Sequence, residues 1–203
     1  MKKWVLAAAA AVAFAGPASA AVITLQSITT NGPGNFTFNY QGTLGPDEGL
    51  RSGDRLVIFD FAGYIPGSIS ADGNTNVAVS VENTSTNVIL TPGQNDDPNI
   101  PNLVFTYTGP EFRNTGGPFT ALDFNGLSAR STLGGTKFDA FFTLTTKNNP
   151  LAEQNTAAYQ VGTVRVPAAG AVPEPATWAM MLGGFGLLGA ASRRRNRAVR
   201  VTA

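Results

Sequence analysis

The chain contains no cysteine and no histidine. The first absence excludes disulfides, thiol nucleophiles and thiolate metal sites; the second excludes imidazole bases and any Ser-His-Asp triad. A body without disulfides must be held together by burial, and 203 residues are enough chain for that. Charge is scarce too, at 13% of residues, and unevenly placed. Lys2 and Lys3 sit at one end, and Arg193, Arg194, Arg195, Arg197 and Arg200 at the other, together half of the 14 basic residues. Between Ala21 and Ala171 seven basic side chains face twelve acidic ones, a net of −5. A mildly acidic body argues against nucleic acid as a partner, because phosphate binding needs a basic face. No tandem repeat is visible, which argues against a solenoid or propeller. No stretch of a dozen residues carries a helical apolar stripe.

What is present begins with an address. Met1-Lys2-Lys3 is a short positive segment, followed by an apolar run from Trp4 to Ala15. Gly16 and Pro17 break that run, and Ala18-Ser19-Ala20 supplies the small residues a signal peptidase accepts. Residues 1–20 are therefore expected to be a signal peptide, cleaved after Ala20 so that the mature chain starts at Ala21.

The C-terminus reads as a second address. Residues 167–175 form a small-residue linker, and 176–192 follow as an apolar segment without charge. Pro175 suits the first turn of a helix, where a missing N–H costs nothing, and Glu174 favours the positive end of the helix dipole. The uncharged run from Ala176 to Ala191 would span ~24 Å as a helix, a little short of a bilayer core of ~30 Å. Trp178 would lie near one interface, and the arginines of a basic tail over 193–203 would hold the cytoplasmic side. The expectation is a transmembrane helix in the lipid bilayer.

The residues Val172-Pro-Glu-Pro-Ala-Thr-Trp-Ala-Met-Met-Leu-Gly-Gly-Phe-Gly-Leu-Leu-Gly, closed by Arg193-Arg194-Arg195, resemble the PEP-CTERM sorting signal in its PEPxxWA form. Pro173, Glu174, Pro175, Trp178 and Ala179 carry the motif, and Arg193, Arg194 and Arg195 the basic stop-transfer cluster. The resemblance implies a Gram-negative bacterium and recognition by an exosortase, a membrane-embedded processing enzyme. It also implies removal of the tail and surface display or release, often alongside exopolysaccharide. The motif would thus be a substrate for another enzyme, not a site that performs chemistry.

Between the two addresses, over 21–166, short alternating runs are separated by Gly, Pro, Asn and Asp clusters. The pattern predicts strands at Val22–Ile28, Asn35–Gln41, Arg55–Phe61, Asn76–Glu82, Asn87–Thr91, Asn102–Thr108, Phe119–Phe124, Phe138–Thr146 and Tyr159–Val166. Phe36, Phe38 and Tyr40 share one face, as do Val77, Val79 and Val81, and Gly162 is expected to bulge between Val161 and Val164. This spacing points to a mainly β fold, an antiparallel, jelly-roll-like β-sandwich ectodomain flanked by the two terminal helices. Residues 46–53, 91–101 and 111–118 read as loops. A looser resemblance to the bodies of uncharacterised PEP-CTERM proteins runs through Gly53-Asp54, Val57–Gly63, Asn95–Pro98, Asn102–Gly109 and Phe138–Val166; it implies no activity.

Little in that body suggests chemistry. Asp96 and Asp97, or Asp72-Gly-Asn-Thr-Asn76, offer oxygen ligands of the kind Ca²⁺ accepts, but the spacing is not that of an EF-hand, and Asx-rich turns arise from backbone geometry alone. No cofactor is expected. A glycosidase needs two carboxylates facing one cleft; no pair stands out, and Asp54 and Asp60 flank a strand in a way that fits edge solvation. A serine nucleophile would need Lys137 or Lys147 and has no supporting motif. Tyr64, Tyr107, Phe112 and Tyr159 are candidates to stack on sugar rings, with Tyr64 first. An ice-binding face would need a flat threonine array, and Thr143–Thr146 and Thr106–Thr108 are too short. The expectation is a non-enzymatic envelope or matrix protein, structural or adhesive and associated with exopolysaccharide. The alternative is a secreted carbohydrate-binding protein, lectin-like and Ca²⁺-dependent, or a carbohydrate-active enzyme.

Overall fold

The structure, a computed structural model, describes residues 21–46, 48–85, 88, 90, 92–113, 122–147, 156–169, 180–182 and 184–185. The chain divides into two units, Met1–Ala169 and Gly170–Ala203. In the first, eleven strands are described: β1 (Val22–Gly32), β2 (Asn35–Leu44), β3 (Glu48–Leu50), β4 (Arg55–Ile58), β5 (Ser70–Ala71), β6 (Val77–Glu82), β7 (Asn102–Tyr107), β8 (Phe112–Arg113), β9 (Leu122–Ser131), β10 (Gly135–Lys147) and β11 (Ala157–Ala168).

All ladders are antiparallel. One sheet has the order β1-β2-β9-β5; the other contains β6, β7, β4, β10, β3 and β8, with β11 also paired to β10. Because β11 follows β10 from Gly135 to Thr146, β4 and β3 must share the opposite edge of β10, where Leu144 meets Arg55 and Thr146 meets Gly49. β3 and β4 are thus one strand interrupted by a detour over 51–54. β7 and β8 make a matching detour beside it, since Arg55 pairs with Thr106 and Leu50 with Phe112.

Alternation along the strands fills the space between the sheets. Phe38 and Tyr40 of β2 point inward with Ile23, Leu127 and Ala129, and meet Ile58, Leu103, Phe105, Phe141, Val164 and Val166 of the other sheet in one buried cluster. The Tyr40 hydroxyl crosses the gap and donates to the carbonyl of Arg165 at 3.0 Å. A second cluster, Val57, Phe59, Val104, Ala140 and Phe142, occupies the outer face of the larger sheet; Val88, Leu90, Leu144 and Val161 pack against it. A cavity of about 70 Å³ remains between the sheets, lined mainly by apolar side chains such as Leu44, Leu56, Phe105, Phe124 and Leu127. The buried Thr143 hydroxyl also lines it and has no partner among the described residues.

Strand existence followed the pattern more closely than strand length. β1 continues four residues beyond Ile28, and β11 continues through Pro167 and Ala168 into the expected linker. Arg55–Phe61 leaves the ladder at Ile58, because Asp60 adopts φ 51°, a left-handed conformation that a non-glycine residue rarely takes within a strand. The expected strand at 87–91 is not seen in its described residues: Val88 and Leu90 lie outside any strand, as covers on the second cluster. β9 continues seven residues past Phe124, through Gly126 at φ 83°, the residue that interrupts its alternation. The segment expected as a loop over 46–53 contains β3, and that over 111–118 contains β8.

Gly162 does not bulge. It pairs with Phe141 in an unbroken register, and an added Cβ would lie 2.6 Å from the Phe141 ring. The glycine leaves room for the aromatic ring of its cross-strand neighbour. Gly162→Ala is therefore expected to destabilise the protein by about 1–3 kcal/mol, the usual cost of overpacking. Urea denaturation should show this as a lower midpoint with unchanged slope; an unaltered midpoint would mean that the ring moves freely.

Candidate functional site

The outer face of the four-stranded sheet carries a run of polar side chains bonded to one another. Since Phe36, Phe38 and Tyr40 turn inward, the alternate residues of β2, Asn35, Thr37, Asn39, Gln41 and Thr43, turn outward. β1 brings Thr24, Gln26, Ser27, Thr29 and Asn31 to the same face, its register shifted by an irregularity between Leu25 and Ser27. The ladders set cross-strand rows: Thr24 beside Gln41, Ser27 beside Asn39 and Ser128, Thr29 beside Thr37 and Arg130, and Thr43 beside Asp123.

These side chains bond to one another. The Gln26 amide donates to Gln41 Oε1 at 2.8 Å and to Thr24 Oγ1 at 2.9 Å, and the Gln41 amide donates to Asn125 Oδ1 at 3.0 Å. Asn39 Nδ2 donates to Ser27 Oγ at 3.1 Å and Thr29 Oγ1 at 3.4 Å; Asn31 Nδ2 donates to Thr37 Oγ1 at 2.7 Å. Thr43 Oγ1 donates to Asp123 Oδ1 at 2.7 Å. No residue from Trp4 to Pro46 is charged, and apart from Val22 beside Thr43 the outward residues of β1 and β2 present hydroxyls and amides. Sequence reasoning read the inward half of this alternation and passed over the outward half, although Asn35-x-Thr-x-Asn-x-Gln-x-Thr43 was there to be read.

The acidic residues are mostly structural. Glu48, Asp54 and Asp60 are all buried, which corrects the reading of Asp54 and Asp60 as solvated edge residues. Thr145 Oγ1 donates to Glu48 Oε1 at 3.0 Å and Thr146 Oγ1 to Asp54 Oδ2 at 2.9 Å. Successive strand residues point to opposite faces, so these two carboxylates are held apart by the sheet and do not face one cleft. Asp54 Oδ2 also accepts the Arg51 N–H at 2.8 Å and closes the detour between β3 and β4. Asp96 accepts from Asn102 and Ser85, and Asp97 from the backbone and side chain of Asn99. Asp72 and Asn74 are engaged in the turn between β5 and β6. Among the described residues no group of three or more acidic side chains is placed to hold a metal ion.

Burial raises the carboxyls of Asp54 and Asp60 above their ordinary value of 3.8. Hydrogen bonds from Asn99 lower that of Asp97. A raised carboxyl binds its proton more tightly when folded, so its contribution is fully present below 3.8 and is lost as pH rises through the folded value. Asp54→Asn and Asp60→Asn should therefore compare more favourably with the wild type at pH 7 than at pH 3. Thermal melts across that range check the sign; a gain confined to pH 3 would reverse it.

The aromatic candidates separate. Tyr64 is not exposed in a turn: it packs edge-on against Phe61, ring centres 6.3 Å apart, beside the inter-sheet core. Tyr107 donates its hydroxyl to the Pro110 carbonyl, and Phe112 is half-buried in β8. Tyr159 is 65% exposed, and Phe138, not singled out by sequence, is 63% exposed beneath the Arg165 guanidinium. Thr143, Thr145 and Thr146 are buried and form no surface array.

Of the sorting residues, Pro173, Glu174, Pro175, Trp178, Ala179, Arg193, Arg194 and Arg195 lie outside the described residues, as do Ala18 and Ala20. Ala21 is buried just before β1. Within 176–192 the described residues 180–182 and 184–185 are helical, with Met180, Leu182 and Phe185 exposed. Among the described residues no helix is long and apolar enough to cross a membrane.

No curated protein matches the chain. Residues 171–195 match the family model described as the PEP-CTERM protein-sorting motif, so the chain carries a signal that implies processing by an exosortase-type enzyme and sorting to the cell exterior.

Proposed function

We propose that this is a non-enzymatic protein of the cell envelope or extracellular matrix, structural or adhesive and associated with exopolysaccharide. Residues 1–20 direct export and are removed by signal peptidase, and 176–192 hold the chain in the bilayer until the tail is processed. The sorting motif at 171–195 carries this reading. In sequence it follows an antiparallel β body whose buried carboxylates are committed to internal hydrogen bonds. A body with a net charge of −5 and a broad face of hydroxyls and amides suits contact with a hydrated polymer.

Replacing Pro173, Glu174 and Pro175 together by alanine tests the reading. The surface-exposed pool is expected to fall at least about tenfold, with full-length chain accumulating in the membrane fraction. Mass spectrometry of the wild-type surface form should place its C-terminus near Val172–Pro175; intact Ala203 in that pool would overturn the proposal. Addition of EDTA separates a Ca²⁺-dependent lectin, whose polymer association it would abolish, from a structural protein, whose association it would leave intact.

A further inference from the structure

We infer that the outer face of β1, β2 and β9 is a binding surface for an uncharged polysaccharide, with Thr24, Ser27, Thr29, Thr37, Asn39 and Gln41 at its centre. The inference rests on the polymer-associated reading above and gives it a site and a ligand class.

The face is organised before any ligand arrives. Ser27, Thr29 and Thr37 each accept an amide N–H from Asn39 or Asn31, which fixes their oxygens. None of the three donates its own hydroxyl proton among the described residues, so those protons remain available outward. The side-chain oxygens of Asn31 and Asn39 accept no hydrogen bond among the described residues. Free hydroxyl donors at Ser27, Thr29 and Thr37 therefore lie close to free carbonyl acceptors at Asn31 and Asn39, strands being ~4.8 Å apart. A sugar hydroxyl both donates and accepts, so it can meet either kind of position. Locking the amides laterally removes rotamer entropy that a ligand would otherwise have to freeze.

Charge selects the ligand class. β1 and β2 carry no ionised group; β9 adds one carboxylate, Asp123 beside Thr43, and one guanidinium, Arg130 beside Thr37, with Thr24, Ser27, Asn39 and Gln41 in the rows between them. A polyanion would meet no cationic track and an acidic body; a polycation would find one carboxylate, already accepting from Thr43. A second protein is a poorer fit, because protein interfaces centre on aromatic and apolar anchors, and the aromatics of β2 all point inward. With no stacking platform, each sugar contributes little, and binding gains from the many contacts of a long polymer.

The test titrates the full chain, in detergent, with dextran, galactomannan and a mixed-linkage β-glucan as neutral probes and alginate as the polyanion. At least one neutral probe should bind and alginate should not. The double variant Thr29→Ala with Asn39→Ala should weaken that binding at least about tenfold, while Thr163→Ala, at an exposed position of β11 on the other sheet, should leave it unchanged. Circular dichroism of both variants checks that the fold survives these exposed replacements. Failure of every neutral probe, equal binding of alginate, or undiminished binding by the double variant each overturns the inference. So does sedimentation showing that the face joins two copies of the chain. The broader reading fails separately, if the wild-type protein does not co-fractionate with its producer's own extracellular polymer. A double variant that still co-fractionates fully sinks only the site.

Discussion

Alanine at Phe38 is expected to cost about 3–5 kcal/mol of unfolding free energy, the range for deleting a buried phenylalanine. Phe38 is fully buried, and its ring meets that of Phe61 edge-on at 5.6 Å and 81°. Phe38 comes from the smaller sheet, whereas Phe61 follows β4 of the larger one, so the pair joins the two layers. Removing the ring leaves a void against Phe61 and Ala129, both buried and neither able to fill it. Against a typical total of about 5–15 kcal/mol, such a loss would remove roughly a third to a half of a mid-range stability. Urea denaturation should show the midpoint collapse, with the slope near that of wild type. Phe36→Ala, at a half-buried position on the same face, should cost less than half as much. Equal losses at the two positions would mean that the inter-sheet core is not the centre of stability.

The core was legible because alternation is a local property. Phe36, Phe38 and Tyr40 announce their shared face from sequence, and the antiparallel, mainly β body follows from many such runs. Details that depend on what lies across the sheet were not legible. Gly162 looks like a break in its own strand and becomes a fit only when Phe141 is placed opposite. β3 and β8 consist of three and two residues, too short for any periodicity. The polar face was in the sequence as plainly as the core, since the same alternation that buries Phe38 exposes Asn39. It was overlooked because hydroxyls and amides read singly as ordinary surface, and only the cross-strand register gathers them. The sorting tail was legible for a different reason: a sorting signal is defined by the identity and order of its residues, Pro173-Glu174-Pro175, an apolar run and an arginine cluster.

The second large effect is expected at Asn102, a fully buried polar residue at the start of β7. Its Oδ1 accepts the N–H of Asp60 at 2.9 Å, and its Nδ2 donates to Asp96 Oδ1 at 2.9 Å. Asp96 in turn accepts the N–H of Ser85, and Asp60 accepts that of Asp97 at 3.0 Å. One side chain thus ties the left-handed residue after β4 to the segment that brings Val88 and Leu90 over the second cluster. Asn102→Leu keeps the volume but strands a buried N–H and takes a donor from a half-buried carboxylate. Each loss costs about 1–3 kcal/mol, more where charge is involved, so a total of about 2–5 kcal/mol is expected. Amide exchange should localise the damage, with Asp60 and Asp97 losing protection well before the strands. Asn102→Asp should keep the acceptor but set a carboxylate against Asp96, making the defect worse at pH 7 than at pH 4. If both variants melt like the wild type, the loop is held by Val88 and Leu90 alone and the polar clasp is incidental.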